Sequence, residues 1–173
     1  VLELLREEAL ELLRKAGCSE EVVEHCKAVE RVATKLAQEI SRFRKVNIEE
    51  VIIGSLLHDI GRARTHGIRH GVEGGEILRK MGAGKFAHFA ENHIGAGIPA
   101  EEAERLGLPR RDFLPSTLEE KIVAYADKLV VGNKVVPFEE ALEMFRKELG
   151  EEHPAIERLK ALHEEIEALK KGF

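Results

Sequence analysis

Apolar residues recur along this chain at offsets of three and four almost everywhere, and no segment shows the convincing alternation of a strand. The pattern predicts a first helix over residues 2–16, stopped by Gly17 in a C-terminal cap. Ser19, followed by Glu21 and Val22, reads as the N-cap of a second helix that reaches Ser41. Asn47 caps a third, IEEVIIGSLLHDI, which Gly61 ends. A fourth is expected in EGGEILRKM and a fifth in KFAHFAENHI, closed by Gly95 and Gly97. Pro99 opens the short AEEAERLG, and Thr117 caps LEEKIVAYADKLVV. Pro137 starts FEEALEMFRKEL, and Pro154 starts a last, highly charged helix. With no linker, repeat or low-complexity stretch in view, the expectation is an all-α helical bundle, one domain over residues 1–173.

Composition narrows the setting. A chain of 173 residues can bury a sizeable core without disulfides. Lys and Arg number 27 against 32 Asp and Glu, a mildly acidic balance that argues against an extended nucleic-acid surface but leaves room for a local anion site. Cys18 and Cys26 form no CxxC pair and read as free thiols of a reducing cytoplasm. No apolar run approaches the ~20 residues of a membrane span, and VLELLREEALELLRKAG is charged throughout, unlike a signal peptide. A cytoplasmic protein without membrane contact is expected. A charged fraction of 34% with a lone glutamine, Gln38, suggests a heat-adapted source.

Four residues break the apolar faces. His25 falls in line with Val22, Val29, Val32 and Leu36, so it faces inward. His58 and Asp59 end the helix built of Ile52, Ile53, Leu56 and Leu57, and neighbours on a helix point about 100° apart, towards one centre from adjacent directions. Asp127 is embedded in IVAYADKLVV on the face of Val123 and Val130. Taken singly, His25 reads as a satisfied core histidine and Asp127 as one half of a helix-packing ion pair. Taken together, in the order H…HD…D, they place polar groups where an unpaired carboxylate costs several kcal/mol. A divalent cation resolves that conflict. Imidazole and carboxylate suit manganese, cobalt, nickel, zinc, iron or magnesium, and such a set does not select among them.

The order and spacing resemble the HD superfamily of metal-dependent phosphohydrolases. The matching segments are HCKAVERVATKLA, VIIGSLLHDIGR, RHGVEGGEIL and EEKIVAYADKL, with LLHDIGR the most specific. The resemblance implies an all-α bundle with an HD core over about residues 20–135, flanked by an N-terminal helix and C-terminal helices. It also implies that His25, His58, Asp59 and Asp127 are metal ligands. In subgroups of the family that bind two ions, further histidines lie between the HD pair and the last Asp, and His70 and His93 occupy such places. They are read as ligands of a second ion, with contact to a substrate phosphate as the alternative. Some of those subgroups carry two consecutive histidines where this chain has Asn92-His93. His66, His88, His153 and His163 have no such context and are expected at the surface.

Arg62, Arg64 and Arg69 leave the HD pair with no acid before Glu73, a stretch that concentrates an anion locally. The other reading is a solvated loop paired with Glu on neighbouring helices. Gly74 and Gly75 have no P-loop context and are expected to permit close helix packing. The function expected is metal-dependent hydrolysis of a phosphate monoester or anhydride, with a nucleotide as the small-molecule partner. Asp59 orients water as well as binding metal, and Arg62, with Arg64 or Lys128, binds phosphate. The alternatives are a nucleotide-binding sensor or scaffold that keeps the metal site, and a two-iron oxygenase. The stripe Ile156, Leu159, Leu162, Ile166 and Leu169 fits either a homodimer contact or packing on the chain's own core.

Overall fold

Caps and turns set the helix boundaries in the computed structural model, which describes residues 4–173. Helix α1 (Arg6–Ala16) ends at Gly17, whose φ of 104° lets the amides of Gly17 and Cys18 turn back onto the Arg14 and Leu13 carbonyls. The part of the expected first helix before residue 4 lies outside the described residues. Ser19 accepts from the Val22 amide and opens α2 (Glu20–Ser41). Asn47 does the same for α3 (Ile48–Leu57) through the Glu50 amide. There follow a 3₁₀ turn (Ile60–Ala63), α4 (His70–Lys80), a second 3₁₀ turn (Gly84–Phe86), α5 (Ala87–Glu91), a third (Ile94–Ala96) and α6 (Ala100–Arg105). Then come α7 (Leu118–Lys128), β1 (Val130–Val131), β2 (Lys134–Val135), α8 (Phe138–Leu149) and α9 (Pro154–Lys170).

The all-α expectation is met apart from that small hairpin. Sequence periodicity carries α7 through Val131, whereas the chain leaves the helix after Lys128 and turns at Gly132, with Val130 opposite Val135. Gly132 has a φ of 64°, which glycine adopts without strain. Other boundaries move as well: the first helix begins at Arg6, and the expected fifth helix, KFAHFAENHI, is a 3₁₀ turn followed by a helix that stops at Glu91. The third helix stops at Leu57 instead of Ile60, and the fourth begins at His70, ahead of EGGEILRKM.

The core forms where α2 lies against α3 and α7, with α1 and α9 closing the outside. Leu13, Ile40, Leu56, Leu57, Ile122, Leu159 and Ile166 are wholly buried there, each contributing roughly 2 kcal/mol. The stripe of α9 is buried from Ile156 to Leu169, so that face is occupied by the chain's own core. Cys18 and Cys26 are free and buried, and burial pushes the Cys18 thiol up to about 11. A smaller cluster of Val72, Ile98, Ala103, Leu108 and Phe113 is tied by paired bonds between Ile98 and Phe113. Among the described residues no helix is long and apolar enough to cross a membrane.

Glycine brings α4 close to the centre described next. A Cβ on Gly61 would lie 1.7 Å from the His70 carbonyl oxygen, and one on Gly74 would meet Ala90 at 2.9 Å. A Cβ on Gly75 would meet Glu91 at 2.7 Å. Gly74 and Gly75 therefore serve packing, as their sequence context suggests. The opening of α7 is fixed just as locally, because the Thr117 hydroxyl accepts from the Glu120 amide and donates to the Glu120 carboxylate. Thr117→Ala is expected to lower stability by about 1 kcal/mol in urea denaturation.

Candidate metal centre

Helix ends aim the imidazoles. The last carbonyls of a helix lack intrahelical partners, and the ring of His58, which caps α3, uses one: Nδ1 donates to the Ser55 oxygen at 2.6 Å. His93, just beyond α5, donates Nδ1–H to the Ala90 oxygen at 2.8 Å. His70, opening α4, donates to the Gly67 oxygen of the preceding turn at 2.8 Å. In each case the acceptor lies three residues back. His25, in the middle of α2, has no such neighbour and donates to the Gly132 oxygen of the hairpin at 2.6 Å. A neutral imidazole carries one N–H, so donation from Nδ1 leaves the Nε2 lone pair facing the interior.

All four Nε2 atoms point at two carboxylates. Asp127 Oδ1 lies 2.9 Å from His25 Nε2 and 3.2 Å from His58 Nε2. Asp59 stands between two groups of rings. Its Oδ2 is 3.5 Å from His25 and 3.9 Å from His58, while Oδ1 is 3.4 Å from His70 and 3.3 Å from His93. The ε nitrogens of His70 and His93 are 3.2 Å apart. Asp59 Oδ1 is buried and accepts no hydrogen bond. Lone pairs crowded this closely, with an orphaned carboxylate oxygen among them, repel one another unless a cation stands between them. Mixed N/O donors are what a divalent ion takes, so the residues fit a metal. Asp59, with one oxygen towards each group, has the geometry of a bridge.

Charge follows the same plan. Burial alone would raise the Asp59 carboxyl, but the surrounding rings of His58, His70 and His93 hold it well below the usual range. Burial would raise Asp127 too, and Lys128 with His25 and His58 keeps it low. Burial and the neighbouring His58 push His93 down to about 4. Burial would also lower His25, yet its bond to Asp127 and the two aspartate charges raise it from 6.5 to about 9. Without metal, His25 therefore holds a proton at neutral pH, and that proton is the cation on its Nε2. It stabilises the metal-free fold fully below pH 6.5, an effect lost as pH rises through about 9. Metal must displace it. Between pH 7 and 9 metal affinity should climb by about tenfold per pH unit, with about one proton released per site at pH 7.5. Calorimetry in buffers of different ionisation enthalpy measures both.

Beside the centre opens a cavity of about 480 Å³. Arg62 and Lys128 stand at its floor, Arg62 Nε on Asp59 Oδ2 and Lys128 Nζ on Asp127 Oδ2, each at 3.0 Å. Arg64 is not brought here: its guanidinium pairs with Glu73 at 2.8 Å and Glu76 at 3.3 Å, the solvated-loop arrangement. Arg69 is exposed, within 3.9 Å of Glu73. Asn92 donates to the buried Glu120 at 2.9 Å, tying α5 to α7. His88 is exposed as expected, but His163 stacks on Phe138 and bonds to Tyr125, and His153 caps α9. His66, set aside from sequence, is exposed at the cavity mouth beside Arg62. Gly132, Met144 and Phe145 also escaped notice, because only the fold carries the hairpin and α8 to the centre. For Gly132 the turn dipeptide Gly-Asn was the available signal.

A family model for the HD domain matches residues 22–132. An uncharacterized protein of Methanocaldococcus jannaschii is 54% identical over 167 residues, which cover 95% of this chain and 98% of that protein. A tRNA (cytidine(56)-2'-O)-methyltransferase of Thermoplasma volcanium is 41% identical over 155 residues, 89% of this chain and 44% of that protein. The enzyme of the same name from Picrophilus torridus is 38% identical over 165 residues, 94% of this chain and 46% of its own. This chain thus spans less than half the length of those two methyltransferases. No solved structure matches it.

Proposed function

This chain belongs to the HD-domain family, and we propose that it is a metal-dependent phosphohydrolase that releases phosphate from a monoester or an anhydride. The observation that carries the reading is the buried Asp59 carboxylate, ringed by four inward Nε2 atoms and left with an oxygen that accepts no hydrogen bond. In this reading His25, His58, Asp59 and Asp127 hold one divalent ion, and Asp59, His70 and His93 hold a second. Such ions, when bound, polarise a phosphoryl oxygen and lower the pKa of water towards ~7. Arg62 and Lys128 are each anchored on one carboxylate of the centre and keep further N–H donors for phosphoryl oxygens. Asp59 and Asp127 supply the acceptors that orient an attacking water.

The test is phosphate release by purified protein with manganese, cobalt or nickel, from nucleotides and from simple monoesters. Metal-stimulated release is expected. Lys128→Ala should reduce kcat/KM by about 10- to 100-fold, the worth of one charge-assisted hydrogen bond. No release with any metal at any pH refutes the proposal. Tight nucleotide binding without turnover would mark a sensor, and oxygen consumption an iron oxygenase. A second reading is favoured by the two methyltransferases that contain a stretch similar to this chain: activity on, or alongside, transfer RNA. RNA bearing terminal phosphate therefore belongs in the same assay, with gel retardation of tRNA by the metal-loaded protein as an independent readout.

A further inference from the structure

The cavity beside the centre has two unlike halves. Its floor is His25, His70, His93 and Asp127 with Arg62 and Lys128, and its wall is Ile68, Ile94, Val131, Met144, Phe145 and Leu149. A second cavity, about 290 Å³, prolongs the wall: it shares Ile68, Ile94 and Leu149 and continues to Ile98 and Leu106. There the Arg158 guanidinium is already paired with Glu102 at 2.7 and 3.1 Å, and Arg105 is exposed. Of the eight exposed large apolar side chains among the described residues, four (Ile68, Leu106, Val131 and Met144) border these two cavities. Apolar surface gathered at one mouth, continuous with a polar centre, is the signature of a ligand with a charged head and an apolar body.

The charges limit the head. Beyond Arg62 and Lys128 no Lys or Arg among the described residues lines the first cavity, and Glu148 adds a negative charge. Within that cavity a second or third phosphate would meet this carboxylate and no further Lys or Arg, Arg105 lying only in the second cavity. The wall also lacks what a nucleobase needs. Phe145 is its one aromatic ring apart from imidazoles, and no Asn, Gln, Ser or Thr among the described residues reads a base edge there. A polar opening of about 290 Å³, bordered by Ser19 and Glu21, reaches His25, Asp59 and Arg62 from another side, a route for water and for departing phosphate.

We infer, on the phosphohydrolase reading above, that the substrate is a monoester of a single phosphate with an apolar alcohol, its carbon chain lying along the wall. Water oxygen bonds to phosphorus as the ester P–O bond breaks. The alcohol oxygen keeps a proton of that water, so the products are the free alcohol and inorganic phosphate.

The experiment is kcat/KM for n-alkyl phosphates from methyl to octyl on manganese-loaded protein, beside AMP, ATP and pyrophosphate. Each methylene that enters the wall should raise kcat/KM by about fourfold, levelling once the cavities are full. Met144→Gln should flatten the early part of that rise, and Leu106→Gln the late part. A flat series, or AMP or ATP exceeding octyl phosphate, overturns this inference and leaves the phosphohydrolase reading standing. If neither ester nor anhydride is hydrolysed with manganese, cobalt or nickel at any pH, that reading falls, and calorimetry with n-alkylphosphonates decides the wall on its own. Affinity that climbs with chain length supports it, and affinity that does not overturns it.

Discussion

Gly61→Ala should unseat the centre, lowering stability by about 3 kcal/mol or more and abolishing stoichiometric metal binding. The added methyl would sit 1.7 Å from the His70 carbonyl oxygen and 2.7 Å from the Gly74 nitrogen. Both are backbone atoms, so no side chain can swing aside, and overpacking of this kind is costly. Either the turn that carries Asp59 or the helix that carries His70 must shift, and Asp59 Oδ1 then loses its 3.4 Å approach to that ring. Gly67→Ala in the same loop is the control. Its methyl would meet only Thr65 Oγ1, at 3.5 Å, and stability should stay within about 0.5 kcal/mol. Urea denaturation and elemental analysis measure the pair. A Gly61→Ala protein with normal stability and full metal content would show that α4 does not seat against this turn.

The second large effect separates folding from chemistry. Asp59→Asn keeps the shape of the side chain and one acceptor for Arg62, while the amide group can donate to the lone pairs of His70 and His93. Metal-free, this variant should fold and melt close to the wild type: the buried oxygen without a hydrogen bond is gone, which offsets the lost attraction of the carboxylate for Arg62 and the nearby imidazoles. Loaded, it should fail. Metal at a thousandfold excess over Kd adds about 4 kcal/mol to the wild type, and little or none to the variant. Turnover should fall by about three orders of magnitude, the loss of several kcal/mol of electrostatic stabilisation. Thermal melts with and without manganese, together with phosphate release, test this. A variant that melts far below the metal-free wild type would mean that Asp59 serves the fold first.

Much of this architecture could be read from the chain because its signals are local. Ser19, Asn47 and Thr117 cap helices through amides three residues on, Gly17 ends one with a positive φ, and Pro154 opens another. The inward positions of His58, Asp59, His93 and Asp127 follow from the apolar faces they interrupt. Where the outcome depended on distant partners, the sequence fell short. Val130 and Val131 prolong an apolar helix pattern as well as they form a strand, and only pairing with Val135 and Lys134 decides between the two. Arg62 and Arg64 look alike in sequence, yet one reaches Asp59 and the other Glu73. The wall from α8 gave no signal, since Met144 and Phe145 are ordinary residues of an amphipathic helix.

His25 differs from its fellow ligand candidates in where its ring is held, and the difference bears on how the centre comes together. Three rings are oriented by carbonyls in their own neighbourhood, so they are set as soon as α3, α4 and α5 have formed. The fourth waits for a carbonyl 107 residues further along the chain. Most of the cradle is thus preassembled, and the β1–β2 turn acts as its latch. Substitutions at that remote bend would govern how fast an ion is captured and let go, even where the final set of donors is unchanged.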